Sequence, residues 1–162
     1  MVVYYNSTMG KKIWKFNEIK ELKKMLSGKR IVLAGGCFDL IHYGHFTFLK
    51  GARQEGDILI VALESDDFIH NAKSRKPIHT QMQRAEILVG LEFVDYVLLL
   101  PFFKSNEDYF ELVKIICPDI VAITAGDKHA DLKKKQAELI QATVKVVCTL
   151  LPEFSTTRIL NL

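Results

Sequence analysis

Unbroken apolar segments alternate with amphipathic segments along most of the chain. Five short apolar runs lack the in-and-out alternation of half-exposed strands, and they cover residues 31–34, 58–63, 96–100, 120–124 and 144–149. Runs of this length and character are typical of strands that are covered on both faces. The pattern therefore predicts five buried strands.

The amphipathic segments between these runs have helical spacing and helix end signals. They cover residues 18–26, 43–54, 81–91, 107–116 and 130–142. Thr80 and Gln83 have the spacing of a capping box, while Asn17 and Gly28 stand where the first helix would begin and end. Strands that alternate with helices predict an α/β fold, namely a Rossmann-like, doubly wound, parallel five-stranded sheet with helices on both faces.

The chain is predicted to be one domain, in which residues 1–28 form an N-terminal arm and helix and residues 29–162 form the main body. The first 16 residues carry an apolar run, 2–5, that could be a short edge strand or an arm on a partner subunit. The polar stretch 71–79 contains Lys73, Arg75 and Lys76, and it is expected to be a mobile basic loop.

Composition and charge narrow the possible functions. Apolar residues make up 49% of the 162 residues and charged residues 25%, which suits a globular protein that buries a core. The net charge of +3 is too small to predict nucleic-acid binding. Three widely spaced cysteines indicate neither a disulfide framework nor a zinc ribbon, and no apolar run approaches the ~18 residues of a membrane span. We therefore expect a soluble cytoplasmic protein with no nucleic-acid or membrane partner.

The segment from Gly35 to His45 carries the strongest chemical signal. It lies where the first predicted strand ends and a helix begins, the position at which open α/β sheets bind ligands. Gly35 and Gly36 would let the backbone approach a phosphate, and the helix N-terminus supplies N–H donors. His42 and His45 would lie on one helix face, so both could point at the same anion. A metal site or simple helix capping by the histidines is the alternative, although no further ligand stands at a suitable position.

This segment has the form G-x-F-D-x-x-H-x-G-H and resembles the signature of the cytidylyltransferase-like nucleotidyltransferases. Two further blocks, at residues 75–95 and 154–159, resemble the family's central block and its closing Ser-Thr-Thr motif. The resemblance covers most of the chain. It implies attack by a phosphorylated small molecule on the α-phosphorus of a nucleoside triphosphate, with release of pyrophosphate.

The resemblance also assigns roles to residues. It implies that His42, His45 and Lys73 are catalytic and that Lys73 and Arg75 contact the acceptor substrate. The residues implied to bind the nucleotide are Gly35, Gly36, Cys37, Phe38, Asp39, His42, Gly44, His45, Arg84, Gly126, Asp127, Ser155, Thr156 and Thr157. Among these, Asp39 is expected mainly to brace its loop, and Cys37 to pack. Mg²⁺ would enter with the triphosphate, and the family commonly forms homodimers.

Within the family, the chain most resembles the adenylyltransferase domain that makes ADP-heptose, so ATP is the favoured donor. The segment before Ser155 lacks the arginine found in glycerol-phosphate and phosphocholine cytidylyltransferases, which weakens CTP without removing it. FMN is a further possible acceptor. Outside enzymes, the alternative is a nucleotide-binding module that has lost turnover.

Overall fold

A computed structural model describes residues 10–149 and 158–159 of the chain. The described part contains a six-stranded sheet. Its strands, numbered along the chain, are β1 Ile13–Lys15, β2 Ile31–Gly36, β3 Ile58–Leu63, β4 Tyr96–Leu99, β5 Ile120–Thr124 and β6 Thr143–Cys148. The five predicted strands are confirmed, two of them with identical ends.

The strand missed from the sequence is β1, at one edge of the sheet. It pairs in parallel with β4, where Ile13 lies beside Val97. Its central residue, Trp14, is only 5% exposed. A three-residue strand that follows two lysines and ends in a third is too short for a recognisable apolar run, so only the packing of Trp14 against the sheet reveals this strand. The apolar run at 2–5 lies outside the described residues.

The sheet has the order β1-β4-β3-β2-β5-β6, and every pair is parallel. The chain proceeds from β2 through β3 to β4 in one direction and then crosses to place β5 on the other side of β2. The carboxyl ends of β2 and β5 therefore flank a switch point, where the connections diverge and leave a crevice for a ligand.

Helices cover both faces of the sheet, as predicted. They are α1 Ile19–Met25, α2 Tyr43–Arg53, α3 Asp66–Lys73, α4 Gln81–Val89, α5 Asn106–Ile116 and α6 Ala130–Glu138. One hydrophobic core lies beneath α2 and α4, and a second lies beneath α1 and α5. No helix among the described residues is both long enough and apolar enough to cross a membrane.

Two local predictions were wrong. Asn17 does not cap the first helix, because it lies inside a 3-10 turn, Phe16–Glu18, that precedes α1. The predicted basic loop at 71–79 begins as helix: α3 runs to Lys73 and then stops at Ser74, which adopts a left-handed conformation. Ser65 caps α3 by accepting a hydrogen bond from the Phe68 N–H. The capping box of Thr80 with Gln83 is confirmed.

Candidate active site

The turn between β2 and α2 is built around a close contact between Gly36 and Phe38. Phe38 is buried and has a positive φ of 47°, which folds its ring back over the end of β2. A Cβ atom on Gly36 would lie only 2.9 Å from the Phe38 ring. The second glycine of the pair is therefore required by packing, whereas a Cβ on Gly35 would meet only an ordinary contact at 3.9 Å.

His42 and His45 lie together at the N-terminus of α2, as predicted. Their rings stack with centroids 3.7 Å apart. His42 is the N-cap residue, and its Nδ1 accepts a hydrogen bond from the His45 backbone N–H at 3.3 Å. Because Nδ1 accepts, the proton of neutral His42 must sit on Nε2, which is left to donate.

Both imidazoles are held in the neutral form. Burial lowers the pKa of His42, and burial together with the neighbouring His42 and the charge of Lys73 lowers the pKa of His45 to about 3. The Nδ1 atom of His45 is buried and has no hydrogen-bond partner among the described residues. Two neutral rings that each offer one N–H suit a ligand that brings its own negative charge.

Lys73 ends α3 and is exposed. Its charge lowers the pKa of both His45 and Cys37, so its ammonium group lies within electrostatic reach of the histidine pair and of the β2 turn. A long cation on the solvent side of this turn can reach a phosphate bound there.

Arg84, on α4, is fully buried. All three of its guanidinium nitrogens donate hydrogen bonds within the protein: to the Cys37 carbonyl at 2.6 Å, to Asp66 at 2.6 Å and to the His79 carbonyl at 3.2 Å. The salt bridge between Arg84 and Asp66 is therefore buried on the arginine side. These contacts tie the β2 turn to α3 and α4, while phosphate binding by Arg84 stays a prediction.

Asp39 makes the bracing contacts expected of it, but to another segment. Its carboxylate accepts hydrogen bonds from the Ile78 and His79 N–H groups and from the guanidinium of Arg75. The Arg75 side chain and these backbone hydrogen bonds hold the pKa of Asp39 below its usual range despite its burial. Arg75, predicted to contact the acceptor, is therefore engaged in fixing the glycine-rich turn against residues 75–79.

Gly126 and Asp127 follow β5, on the other side of the switch point from the histidines. Gly126 has a positive φ of 74°. Asp127 accepts hydrogen bonds from the His129 N–H and the Lys133 ammonium, which hold its pKa below the usual range. These contacts begin α6. Ser155, Thr156 and Thr157 lie outside the described residues, so their predicted contact with phosphates is untested.

A cleft of about 660 Å³ opens on the α5 side of the β2 turn. Its floor is formed by residues of β2, β3 and β5, and it reaches the turn at Gly36 and Cys37. Glu64, which directly follows β3, lines the cleft and is 8% exposed. Glu64 was not among the residues predicted from the sequence, although a charged residue directly after an unbroken apolar strand was a usable signal.

Among residues 10–149 and 158–159, no three histidine, cysteine, aspartate or glutamate side chains gather as a metal site would require. The three cysteines, at 37, 117 and 148, are free thiols.

The sheet order and the histidine-bearing turn define a doubly wound α/β protein that carries a histidine pair at the start of a helix. The family model described as cytidylyltransferase-like matches residues 33–160. The chain belongs to this cytidylyltransferase-like family.

Two curated relatives illustrate the range of similarity. The chain is 44% identical over 115 residues to "Bifunctional protein HldE" of Nitratiruptor sp., which aligns with 69% of this chain but only 24% of the relative. It is 36% identical over 129 residues to "FAD synthase" of Thermococcus sibiricus, covering 79% of this chain and 84% of the relative. The chain thus matches about a quarter of the first relative and most of the second.

Solved structures agree with the fold. A lipopolysaccharide core biosynthesis protein from Thermoplasma volcanium is 29% identical, with a TM-score of 0.60, and the match covers 76% of this chain and 98% of that one. A pantoate-beta-alanine ligase from Francisella tularensis has a TM-score of 0.71 at 17% identity, over 93% of this chain and 73% of that one, which is a likeness of fold alone.

Proposed function

We propose that this protein transfers a nucleoside monophosphate, preferably AMP from ATP, to a phosphorylated small molecule such as a heptose 1-phosphate, and releases pyrophosphate. The observation that carries the proposal is the stacked, neutral pair His42 and His45 above the glycine turn. Membership of the family supports the reaction class.

In the proposed reaction, an oxygen of the acceptor phosphate forms a bond to the α-phosphorus of the triphosphate. The bond from that phosphorus to the bridging oxygen breaks, and pyrophosphate leaves with the electron pair. Negative charge builds up on the bridging and equatorial oxygens, so fixed donors stabilise the transition state. His42 through its Nε2–H and His45 through its own N–H would supply such donors.

Mg²⁺ belongs to this proposal as part of the nucleotide substrate, whose charge it would neutralise. The described residues offer no cluster of three ligating side chains that would hold the ion independently. The protein's own contribution would be the two histidines, the backbone N–H groups at the start of α2 and the mobile charge of Lys73.

The preference for ATP rests on three observations. The opening motif has the Gly36-Cys37-Phe38-Asp39 form, and the arginine that precedes Ser-Thr-Thr in the cytidylyltransferases is absent. In addition, one relative is named an FAD synthase, and FAD contains an adenylyl group. CTP is the alternative donor.

FMN is a second candidate acceptor, favoured by two specific observations. The FAD synthase relative is matched along 84% of its length. The walls of the cleft are also largely apolar, which would suit a flat aromatic ring system better than a sugar.

A cytoplasmic location and a homodimer complete the proposal, and the free thiols suit a reducing compartment.

Pyrophosphate release with Mg²⁺ tests the proposed function. ATP, CTP, GTP and UTP should each be combined with heptose 1-phosphate, FMN, glycerol 3-phosphate, phosphocholine and phosphoethanolamine. We expect one ATP pair to exceed background clearly. If calorimetry shows that the protein binds ATP but no donor–acceptor pair releases pyrophosphate, the protein is instead a nucleotide-binding module.

Replacing Lys73 with alanine should lower kcat roughly tenfold or more while changing the KM for the nucleotide little, because its charge would act mainly on the reacting phosphates. Steady-state kinetics with the active pair measure both constants. Lys76→Ala, in the same exposed segment, is the matched control and should stay near wild type. A rise in nucleotide KM with unchanged kcat would reduce Lys73 to a binding role.

A further inference from the structure

Glu64 stands at the junction between the glycine turn and the cleft. Its backbone N–H donates to the Gly36 carbonyl at 3.0 Å, which fixes it beside the turn that leads to the histidines. Its side chain is more than nine-tenths buried and lines the cleft. The mechanism described above assigns it no part.

One carboxylate oxygen of Glu64 is satisfied and the other is not. The Tyr109 hydroxyl, on α5, donates to Oε1 at 2.9 Å. Oε2 is buried and has no hydrogen-bond partner among the described residues. Leaving a buried acceptor unpaired is energetically costly, so such an atom calls for a partner that the described residues do not supply.

The two charged groups that act most on Glu64 are both bonded elsewhere. The charges of Arg84, on α4, and Lys133, on α6, both act on Glu64, but Arg84 is bonded to Asp66 and two carbonyls, and Lys133 is paired with Asp127. Burial raises the pKa of the Cys37 thiol, so it stays neutral. Oε2 therefore remains available to a molecule in the cleft.

The cleft has the size and character of a small-molecule site. Its volume of about 660 Å³ lies within the usual range. Its walls include apolar side chains from α3, the segment after β4, α5 and α6, namely Phe68, Phe103, Leu112, Val113 and Leu132. A molecule seated among them would be oriented chiefly by the polar groups of the lining, of which Glu64 and Gln136 are the most deeply buried.

We propose that Glu64 determines acceptor specificity: its Oε2 accepts a hydrogen bond from an O–H or N–H group of the acceptor bound in this cleft. The inference rests on the proposed function, because it takes the cleft to hold the acceptor. The donor would be a sugar hydroxyl if the acceptor is a heptose phosphate, and the imide N–H of the ring system if it is FMN. In either case acceptors that lack the donor would be rejected.

The test compares Glu64→Met, which keeps the size but removes the acceptor oxygen, with Glu64→Gln, which keeps one oxygen. Glu86→Gln, an exposed glutamate in the middle of α4, is the matched control. In Glu64→Met we expect the KM for the acceptor to rise at least about tenfold, while the KM for ATP stays within about twofold. Glu86→Gln should not change either constant.

Acceptor analogues identify the group that Glu64 contacts. Single deoxy derivatives of heptose 1-phosphate and N3-methyl FMN each remove one donor. For the active acceptor, one such change should cost the wild type about a hundredfold in kcat/KM, because it leaves Oε2 buried and unpaired. In Glu64→Met, removing the same donor from the acceptor should lower kcat/KM less than about threefold, since the carboxylate oxygen that accepts from this donor is already absent.

Measuring kcat/KM over a series of pH values adds a result that would not change with pH if the role of Glu64 were only structural. Burial raises the pKa of Glu64 to about 7, partly opposed by the hydrogen bond from Tyr109, so the carboxylate form, which only accepts, predominates above pH 7. The ratio of kcat/KM for wild type over Glu64→Gln should therefore increase as pH rises through about 7. The ratio cancels the titration of the substrates, and Glu64→Gln keeps the size of the buried side chain.

Two results would overturn the inference in different ways. An active wild type whose acceptor KM and analogue penalty are unchanged in Glu64→Met, with a flat pH ratio in Glu64→Gln, would reject the role of Glu64 and leave the proposed function standing. A wild type that is silent across the whole grid of donors and acceptors would overturn the proposed function and this inference with it.

Discussion

Replacing His45 with alanine will lower kcat by about a hundredfold or more, the usual effect of removing one donor that stabilises developing charge. His45 is half of a stacked pair, and an alanine in its place keeps the backbone N–H that donates to His42 Nδ1 at the start of α2. Pyrophosphate release under saturating substrates measures the effect. His70→Ala, an exposed histidine on α3, is the control and should retain activity.

The same pair predicts how activity depends on pH. Because the pKa of His45 is lowered to about 3 and that of His42 also lies below its usual value, neither ring needs to lose a proton near neutrality. Turnover should therefore not decline as pH rises through 6.5. A decline there in wild type that is absent from His45→Ala would show that a charged imidazole is required.

His45 also affects stability at low pH. Between pH of about 3 and 6.5 the unfolded chain binds a proton at this histidine that the folded protein excludes. The free energy of unfolding should consequently fall as pH decreases through this range. Urea denaturation at pH 7 and pH 4.5 should show a smaller loss in His45→Ala than in wild type. An equal loss would mean that the folded site accepts the proton.

Replacing Arg84 with methionine is expected to destabilise the protein by about 3 kcal/mol, because it removes a buried charge with three hydrogen bonds. The Cys37 and His79 carbonyls would lose their donor, and Asp66, which is 40% exposed on its side chain, would lose its partner. Urea denaturation without nucleotide measures this. Arg53→Met, which breaks a more exposed pair with Asp95, should cost less than about 1 kcal/mol.

Nucleotide affinity distinguishes the two roles of Arg84. If the arginine acts by holding the β2 turn, Arg84→Met should lose stability in the absence of any ligand. If it clamps phosphates, as the family resemblance implies, the variant would keep its stability within about 0.5 kcal/mol of wild type and lose affinity for ATP. Calorimetric titration of the folded variants separates these outcomes.

The strands and helices were largely readable because the relevant signals are local. The unbroken apolar run Ile58–Leu63 marks a strand that is covered on both faces, whichever strands lie beside it. Thr80 and Gln83 form the capping box of α4 within a single helical turn. Helix α3 was not recognised, because only Ile69 within it is buried and the segment is otherwise polar. Strand β1 was missed because its stability comes from pairing with β4, which lies far along the chain, and not from a local sequence signal.

By itself, the sequence determined the fold class and the histidine-bearing turn, since both depend on local patterns of residues, and the motifs around that turn carry the family resemblance that implies the reaction class. Only the tertiary structure decided what surrounds that turn. It buried Arg84 against Cys37, joined Arg75 to Asp39 and brought Tyr109 to Glu64 across 45 positions of sequence. Side chains so distant meet only because parallel strands carry them to the same edge of the sheet, and burial there shifts their pKa values and leaves one carboxylate oxygen of Glu64 without a partner among the described residues.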